Sequence, residues 1–254
     1  MKTEKAAQDS KVVNNDYYHD LGERWYKAKD DPIALLRAES KLRNSWIGDT
    51  IQKHFPKAFN VLDVGCGAGF LSNHLAVRGF QVTGIDLSES SLTVAKNYDE
   101  TKSVEYINAD AYALPFPDES FDVVTSTDFL EHVSDPQQVV KEISRVLKPG
   151  GIFFFHTFNK NRLAHLIVIK GVEWFVKNTP PKLHTYDMFI SPRSLTKWLL
   201  EADFAKPYLR GCRPKLNTAF FKMLLTREVP ENFKFKWTKS TMISYTGWTR
   251  KLNA

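Results

Sequence analysis

Apolar residues first follow a helical rhythm. Tyr17, Leu21, Trp25 and Tyr26 recur at helical spacing, and a second run, Leu35, Leu36, Leu42, Trp46 and Ile51, follows Pro32. The spacing predicts N-terminal helices over 16–55, closed by Pro56. Residues 1–15 show no such rhythm and read as a disordered lead. Strand and helix patterns then alternate. Strands are predicted at 61–64, 81–85, 104–107, 121–126 and 152–155, with helices at 70–77 and 88–98. Asp135 and Pro136 open a further helix, aspartate at the cap and proline at the first turn, with Val139, Val140, Ile143, Val146 and Leu147 as its stripe. Lys148-Pro149-Gly150-Gly151 ends it. This βαβα order predicts an α/β fold, a doubly wound and mostly parallel sheet covered by helices on both faces. Residues 159–192 interrupt it as an inserted helix and long loop. A helix over 192–202 follows, and two or more strands finish the chain as an antiparallel C-terminal edge.

The length, 254 residues, suits one domain with elaborations, and 43% hydrophobic content is ample for a packed core. The net charge of +6 is unevenly spread: residues 206–254 hold eleven Lys and Arg against Glu228 and Glu231, so the remainder is net negative. A basic tail points to an anionic surface or to solvated strand faces. Cys66 and Cys212 form no CxxC pair, which argues against a disulfide framework or structural zinc and fits a reducing, cytoplasmic compartment. The polar N-terminus has no apolar signal core, and no apolar run approaches the ~20 residues of a membrane span.

The sharpest motif is Asp63-Val64-Gly65-Cys66-Gly67-Ala68-Gly69, a glycine-rich turn between the first strand and its helix. Glycine lets the backbone bend tightly and lets a ligand lie against bare amides. A dinucleotide fingerprint would place its third glycine where Phe70 stands. Asp86, 17 residues beyond Gly69 at the end of the second strand, can accept both hydroxyls of a ribose. Asn108-Ala109-Asp110, the run 114–122 and Leu147-Lys148-Pro149-Gly150-Gly151 follow in order. Together these resemble the motifs of class I, Rossmann-like S-adenosylmethionine-dependent methyltransferases over roughly 59–157. The resemblance implies that Gly65 and Gly67 pass beneath the methionine moiety, that Gly69 belongs to the same cofactor-binding turn and that Asp63 orients the amino group. It further implies that Asp86 and Leu87 hold the ribose, that Asp110 and the Ala111 amide contact the adenine, and that Thr127 closes over the methionine.

Asp128, Glu131 and His132 lie within five residues after the fourth strand. On one helical turn they would share a face, and two carboxylates with an imidazole suit a divalent cation such as Mg2+. His132 is alternatively a general base, with Glu131 beside it, or the pair simply packs. Asp128-x-x-Glu131-His132-Val133-x-Asp135-Pro136, Thr157-Phe158-Asn159-Lys160-Asn161, Gly171-Val172-Glu173-Trp174 and His184-x-Tyr186-x-x-Phe189-Ile190-x-Pro192 resemble the ubiquinone-biosynthesis O-methyltransferase family over roughly 20–204. Its members methylate catechol-type hydroxyls on polyprenylated benzene rings. Family metal sites read Glu-x-x-Glu-His, whereas Asp128 stands first here, and Arg37 matches the arginine placed near the cofactor's carboxylate. The chain then divides into N-terminal helices 16–55, a cofactor-binding core 56–158, the insert 159–192 and a C-terminal part 193–254, all one methyltransferase domain.

The apolar stretch 162–176 is too short to span a bilayer, and Lys160, Arg162, Lys170, Lys177 and Lys182 accompany it. It reads either as reversible membrane-surface contact through 160–182 or as a lid over the site. Rival readings are methylation of another small amine, acid or phenol, a nucleic-acid methyltransferase, or a non-catalytic module. No Pro-Pro-Tyr-type tetrapeptide follows the fourth strand, which argues against a flipped base as acceptor.

Overall fold

The computed structural model describes residues 14–54 and 60–253. The disordered lead and the Pro56 stop therefore lie, almost wholly, outside the described residues. The N-terminal run forms two single turns, α1 (Asp16–His19) and α2 (Arg24–Lys27), and then the long helix α3 (Ile33–His54). The core follows as β1 (Asn60–Val64), α4 (Phe70–Val77), β2 (Gln81–Asp86), α5 (Glu89–Asn97), β3 (Glu105–Asn108), β4 (Phe121–Thr127), α6 (Pro136–Val146) and β5 (Leu147–Phe158). β5 begins earlier than its sequence suggests, taking in 148–151 beside a register shift between Phe121 and Val123. The insert winds through α7 (Arg162–Ala164), a π-helical stretch (His165–Gly171) and α8 (Val172–Phe175). The chain closes with α9 (Pro192–Glu201), β6 (Tyr208–Pro214), α10 (Thr218–Thr226), β7 (Phe235–Thr238) and β8 (Ser244–Arg250). Two or more strands are predicted after the 192–202 helix; three form, and α10 lies between the first two of them.

The eight strands form one sheet in the order β3-β2-β1-β4-β5-β8-β6-β7. Pairings from β3 to β5 are parallel; β8, β6 and β7 add antiparallel neighbours. Strand order reverses between β1 and β4, and doubly wound sheets open a crevice at that switch point, outside the carboxyl ends of the strands.

The core explains why the central strands read as unbroken apolar runs. Phe153 and Phe155 on β5 pack among Val139, Val140, Ile143 and Val146 of α6. Phe154 points the other way, onto Ile47 and Ile51 of α3 and Leu71 and Leu75 of α4. Alternate side chains thus bury on opposite faces, and helices cover both. Asp135 caps α6 as its sequence predicts, accepting from the Gln138 amide at 3.1 Å.

Gly69 precedes α4 with φ +78, and a Cβ there would collide with the Tyr106 hydroxyl and lie 2.9 Å from the Ala95 Cβ. Both the left-handed backbone and the close approach exclude a side chain. Gly69→Ala should lower unfolding free energy by about 1–3 kcal/mol, read from the urea midpoint; an unchanged midpoint would show that the turn relaxes freely.

Candidate active site

The crevice begins at the glycine turn. The amides of Gly65 and Cys66 both donate to the Ile85 carbonyl at 2.9 Å, so the bend is stitched to the end of β2. Gly67 donates to Asp86 Oδ2 at 2.9 Å, and Ser88 donates to Asp86 Oδ1 at 2.9 Å. Burial pushes the Asp86 carboxyl upward against these two amides. A Cβ on Gly65 would enter the Phe129 ring, and one on Gly67 would reach within 3.3 Å of the Trp25 indole. The turn is therefore a cradle that only bare backbone leaves open. Asp63, behind it, accepts from Ser72 Oγ and Thr125 Oγ1, each at 2.7 Å, tying β1, α4 and β4 together. Burial raises its carboxyl despite those hydroxyls. Leu87, Asp110, Ala111 and Thr127 line the same cavity. Asp110 Oδ1 accepts from the Tyr112 amide at 2.9 Å.

The N-terminal segment roofs the cradle. Tyr18 stacks on Trp25 with ring centres 5.5 Å apart, and His19 Nδ1 lies 3.0 Å from Ser88 Oγ. Arg37, expected beside a cofactor carboxylate, is elsewhere: it donates to the carbonyls of Trp25 and Ala28, off the cavity wall. It braces the roof by satisfying carbonyls at the end of α2. The cation that does line the cavity is Arg43, which the motif comparison missed. Arg43 is 3% exposed and pairs with Asp128, while its Nε and Nη1 have no hydrogen-bond partner. A signal was present: Arg43 falls four and eight positions before the buried Ile47 and Ile51, where a helix facing a core normally carries apolar residues.

Asp128 adopts a left-handed backbone, φ +55, at the end of β4. Burial, the largest single influence, would raise its carboxyl, but the charge and hydrogen bond of Arg43, with His156 and His132, together hold it below the usual range. His156 Nε2 lies 3.4 Å from Asp128 Oδ1 and 3.2 Å from Glu39 Oε1. Cys212 Sγ completes the cluster, 2.7 Å from Glu39 Oε1. Glu131 and His132 belong to a 3-10 turn, Leu130–His132, not to an α-helical turn shared with Asp128. Glu131 is 1% exposed, accepts from Thr157 Oγ1 at 2.8 Å and is not on the cavity wall. Burial and then the charge of Asp128 push its carboxyl up to about 8. His132 lines the cavity, with Nδ1 3.3 Å from Asn15 Oδ1, and burial lowers its imidazole to about 4. His184 packs 5.5 Å from it and is lowered to about 3 by burial and then by His132.

The expected cation set fails this test of geometry. Asp128 is engaged by Arg43, Glu131 faces Thr157 behind the wall, and among the described residues no group of three His, Cys, Asp or Glu side chains could hold a metal ion. A sulfonium nucleoside fits better: the cradle is bare, Asp86 stands at its rim, and Arg43 puts a guanidinium on the cavity wall, a group suited to a carboxylate.

Cradle, His132 and an apolar arm belong to one cavity of about 1130 Å3. It is larger than the about 300–1,000 Å3 of a usual small-molecule site. Its apolar lining includes Phe220 and Leu224 of α10, Phe235 of β7, and Val172 and Phe175 of the insert.

Residues 62–155 match the family described as a methyltransferase domain. A SAM-dependent methyltransferase from Thermotoga maritima superposes with a TM-score of 0.59 at 19% identity, over 90% of this chain and 94% of its own. One from Methanosarcina mazei gives 0.54 at 23%, over 81% and 98%. Fold and motifs thus define a class I S-adenosylmethionine-dependent methyltransferase. The ubiquinone biosynthesis O-methyltransferase of Pseudomonas putida (strain F1) is 40% identical over 207 residues, 80% of this chain and 87% of that protein. The protein of the same name from Thiobacillus denitrificans is 40% identical over 198 residues, 76% and 83%. The chain belongs to the ubiquinone biosynthesis O-methyltransferase family.

The Glu131 environment has a consequence for pH. The folded carboxyl holds its proton above the ordinary value of 4.5, so its contribution favours the fold at low pH and is lost as pH rises from about 4.5 to about 8. Glu131→Gln should therefore be more stable relative to the parent at pH 8 than at pH 5, read from urea midpoints at both. A difference independent of pH would show Glu131 to be ionised in the fold.

Proposed function

We propose that the chain methylates a phenolic hydroxyl of a polyprenylated, catechol-type quinone precursor. One observation carries the reading: a single cavity joins the bare glycine cradle to His132 and then to an apolar arm. The names of the relatives point the same way. All eight strands belong to one sheet, which supports a single domain over 16–254.

In this reading Gly65, Gly67 and Gly69 provide the bend on which the methionine part lies, and Asp63 holds that bend against α4 and β4. Asp86, with Leu87, takes the ribose; Asp110 and Ala111 flank the base; Thr127 bounds the methionine side. Arg43, rather than Arg37, meets the carboxylate. S-adenosylmethionine supplies a methyl group on a sulfonium. The protein aligns the acceptor oxygen with it and removes one proton. His132, uncharged through the physiological range, accepts the phenol proton, and methyl moves from sulfur to oxygen as the sulfonium becomes a thioether. Arg43 favours the phenolate, whose parent phenol has a pKa near ~10. Glu131 supports the turn through Thr157 and does not touch the acceptor. No step passes through a divalent cation, because Asp128, Glu131 and His132 do not fit one jointly.

Among the described residues no helix is long and apolar enough to cross a membrane. Leu163, Leu166, Ile167 and Trp174 of the insert are exposed, close to Lys160, Arg162 and Lys177. That mixture supports reversible contact with an anionic membrane surface by a cytoplasmic enzyme.

Incubation with methyl-labelled S-adenosylmethionine and a prenylated catechol should give a labelled methyl ether by mass spectrometry; label appearing only in amines or nucleic acid would overturn the assignment. Asp86→Asn should weaken cofactor binding by about 10- to 100-fold in calorimetry, since a charged acceptor is lost; equal affinity would remove Asp86 from the site. His132→Ala should lower kcat by about 10²–10⁴-fold with little change in cofactor affinity, and the parent should keep its rate in chelator. Restoration of a chelated enzyme by Mg2+ would reinstate the cation.

A further inference from the structure

The geometry points to α10 as one wall of a dedicated channel for the isoprenoid tail of the acceptor. This rests on the prenylated-acceptor reading above and names where the tail lies. Leu35, Leu36, Glu39 and Arg43 all face the cavity from α3. At 1.5 Å per residue, about 12 Å of helix separates Arg43 from Leu35. The cavity therefore runs along α3, from the charged cluster toward the N-terminal end of the helix. At that end α10 packs on α3: Met223 is buried with Ala34, Val229 and Phe233, and Leu35, Ala38, Phe220 and Leu224 pack around them.

Lining chemistry selects the occupant. From the C-terminal part Leu216, Phe220, Leu224 and Phe235 line the cavity, with Arg213 the one charged residue among them, and Val172, Trp174 and Phe175 line it from the insert. A ring and a cofactor at the Arg43 end have no use for this apolar arm, whereas an open apolar channel in water rewards whatever apolar chain fills it. The chain must be joined to a ring held at the other end, and a linear hydrocarbon substituent meets that condition. The mouth is apolar too: Leu216, Trp174 and Phe175 line the cavity and are also exposed, at 63%, 56% and 38%. A tail longer than the channel leaves past this rim. Phe221 and Leu225 of α10 are exposed as well and do not line the cavity. The two walls are held together, with Arg227 donating to the Glu173 carbonyl at 3.3 Å and Lys177 bridging to Glu228 at 2.6 Å.

The test compares catechols that carry no tail or one, two or three isoprene units. In the parent, kcat/KM should rise by about tenfold for each of the first units buried. In Leu216→Asn, exposed enough to leave folding intact, and in Leu224→Asn, the ratio of kcat/KM for the three-unit acceptor over the tail-less acceptor should fall at least about fivefold. An equal ratio in parent and variants overturns the channel. Farnesol titration by calorimetry gives a readout free of turnover: it should bind the parent and bind Leu224→Asn at least about fivefold more weakly, and equal binding again overturns the channel. If farnesol binding follows α10 but no catechol of any length is methylated, the acceptor assignment falls while the channel stands.

Discussion

The site hinges on one buried ion pair. Arg43 comes from the N-terminal helix α3 and Asp128 from the end of β4, so the pair joins the roof of the cavity to the sheet beneath. It reconciles two groups that neither the core nor the cavity could hold singly, and removing one partner of such a pair typically costs about 3–5 kcal/mol. It also sets what remains available. Asp128 is pinned in a left-handed conformation, which short polar residues tolerate better than most. Arg43 lines the cavity, so its guanidinium leaves that wall attractive to an anionic group. The same pairing takes Asp128 out of a metal-ligand set. The shorter aspartate in the family's Glu-x-x-Glu-His position thus coincides with a guanidinium in contact with it.

The parallel core was legible because burial on both faces leaves a plain trace. The strands expected at 61–64 and 121–126 form at Asn60–Val64 and Phe121–Thr127. The glycine turn and Asp86 were legible because only a backbone constraint explains three alternate glycines, and because β2 ends where its apolar run ends. Other features required helical phase or three-dimensional context. Arg37 and Arg43 both lie on α3, and only their position relative to Ile47 and Ile51 tells which one faces inward. α10 carries Phe220, Phe221, Met223, Leu224 and Leu225 around its axis, so no apolar stripe marks it as a helix. Asn217, whose side chain accepts from the Phe220 amide, was the available start signal.

Glu131 and His132 show how adjacency misleads. A 3-10 turn rotates by about a third of a circle per residue, so neighbours point in different directions. Leu130 and Glu131 turn into the protein while His132 faces the cavity. Sequence brought these residues together as a ligand set; the turn that carries them gives each a separate environment.

The desolvation that weakens His132 as a base also serves the transfer. A sulfonium cation and a phenolate react to give two uncharged groups, so charge disappears along the path, and water, which solvates the separated charges best, favours the start over the transition state. The same dry surroundings depress His132 and His184 and keep Glu131 protonated to about pH 8. Arg43 offsets part of the penalty of forming negative charge on the acceptor oxygen, and Asp128 keeps Arg43 from being a bare buried cation. A polar cradle, a dry middle and an apolar arm therefore follow from one requirement: form a phenolate briefly, beside a fixed positive charge, where little water can reach it.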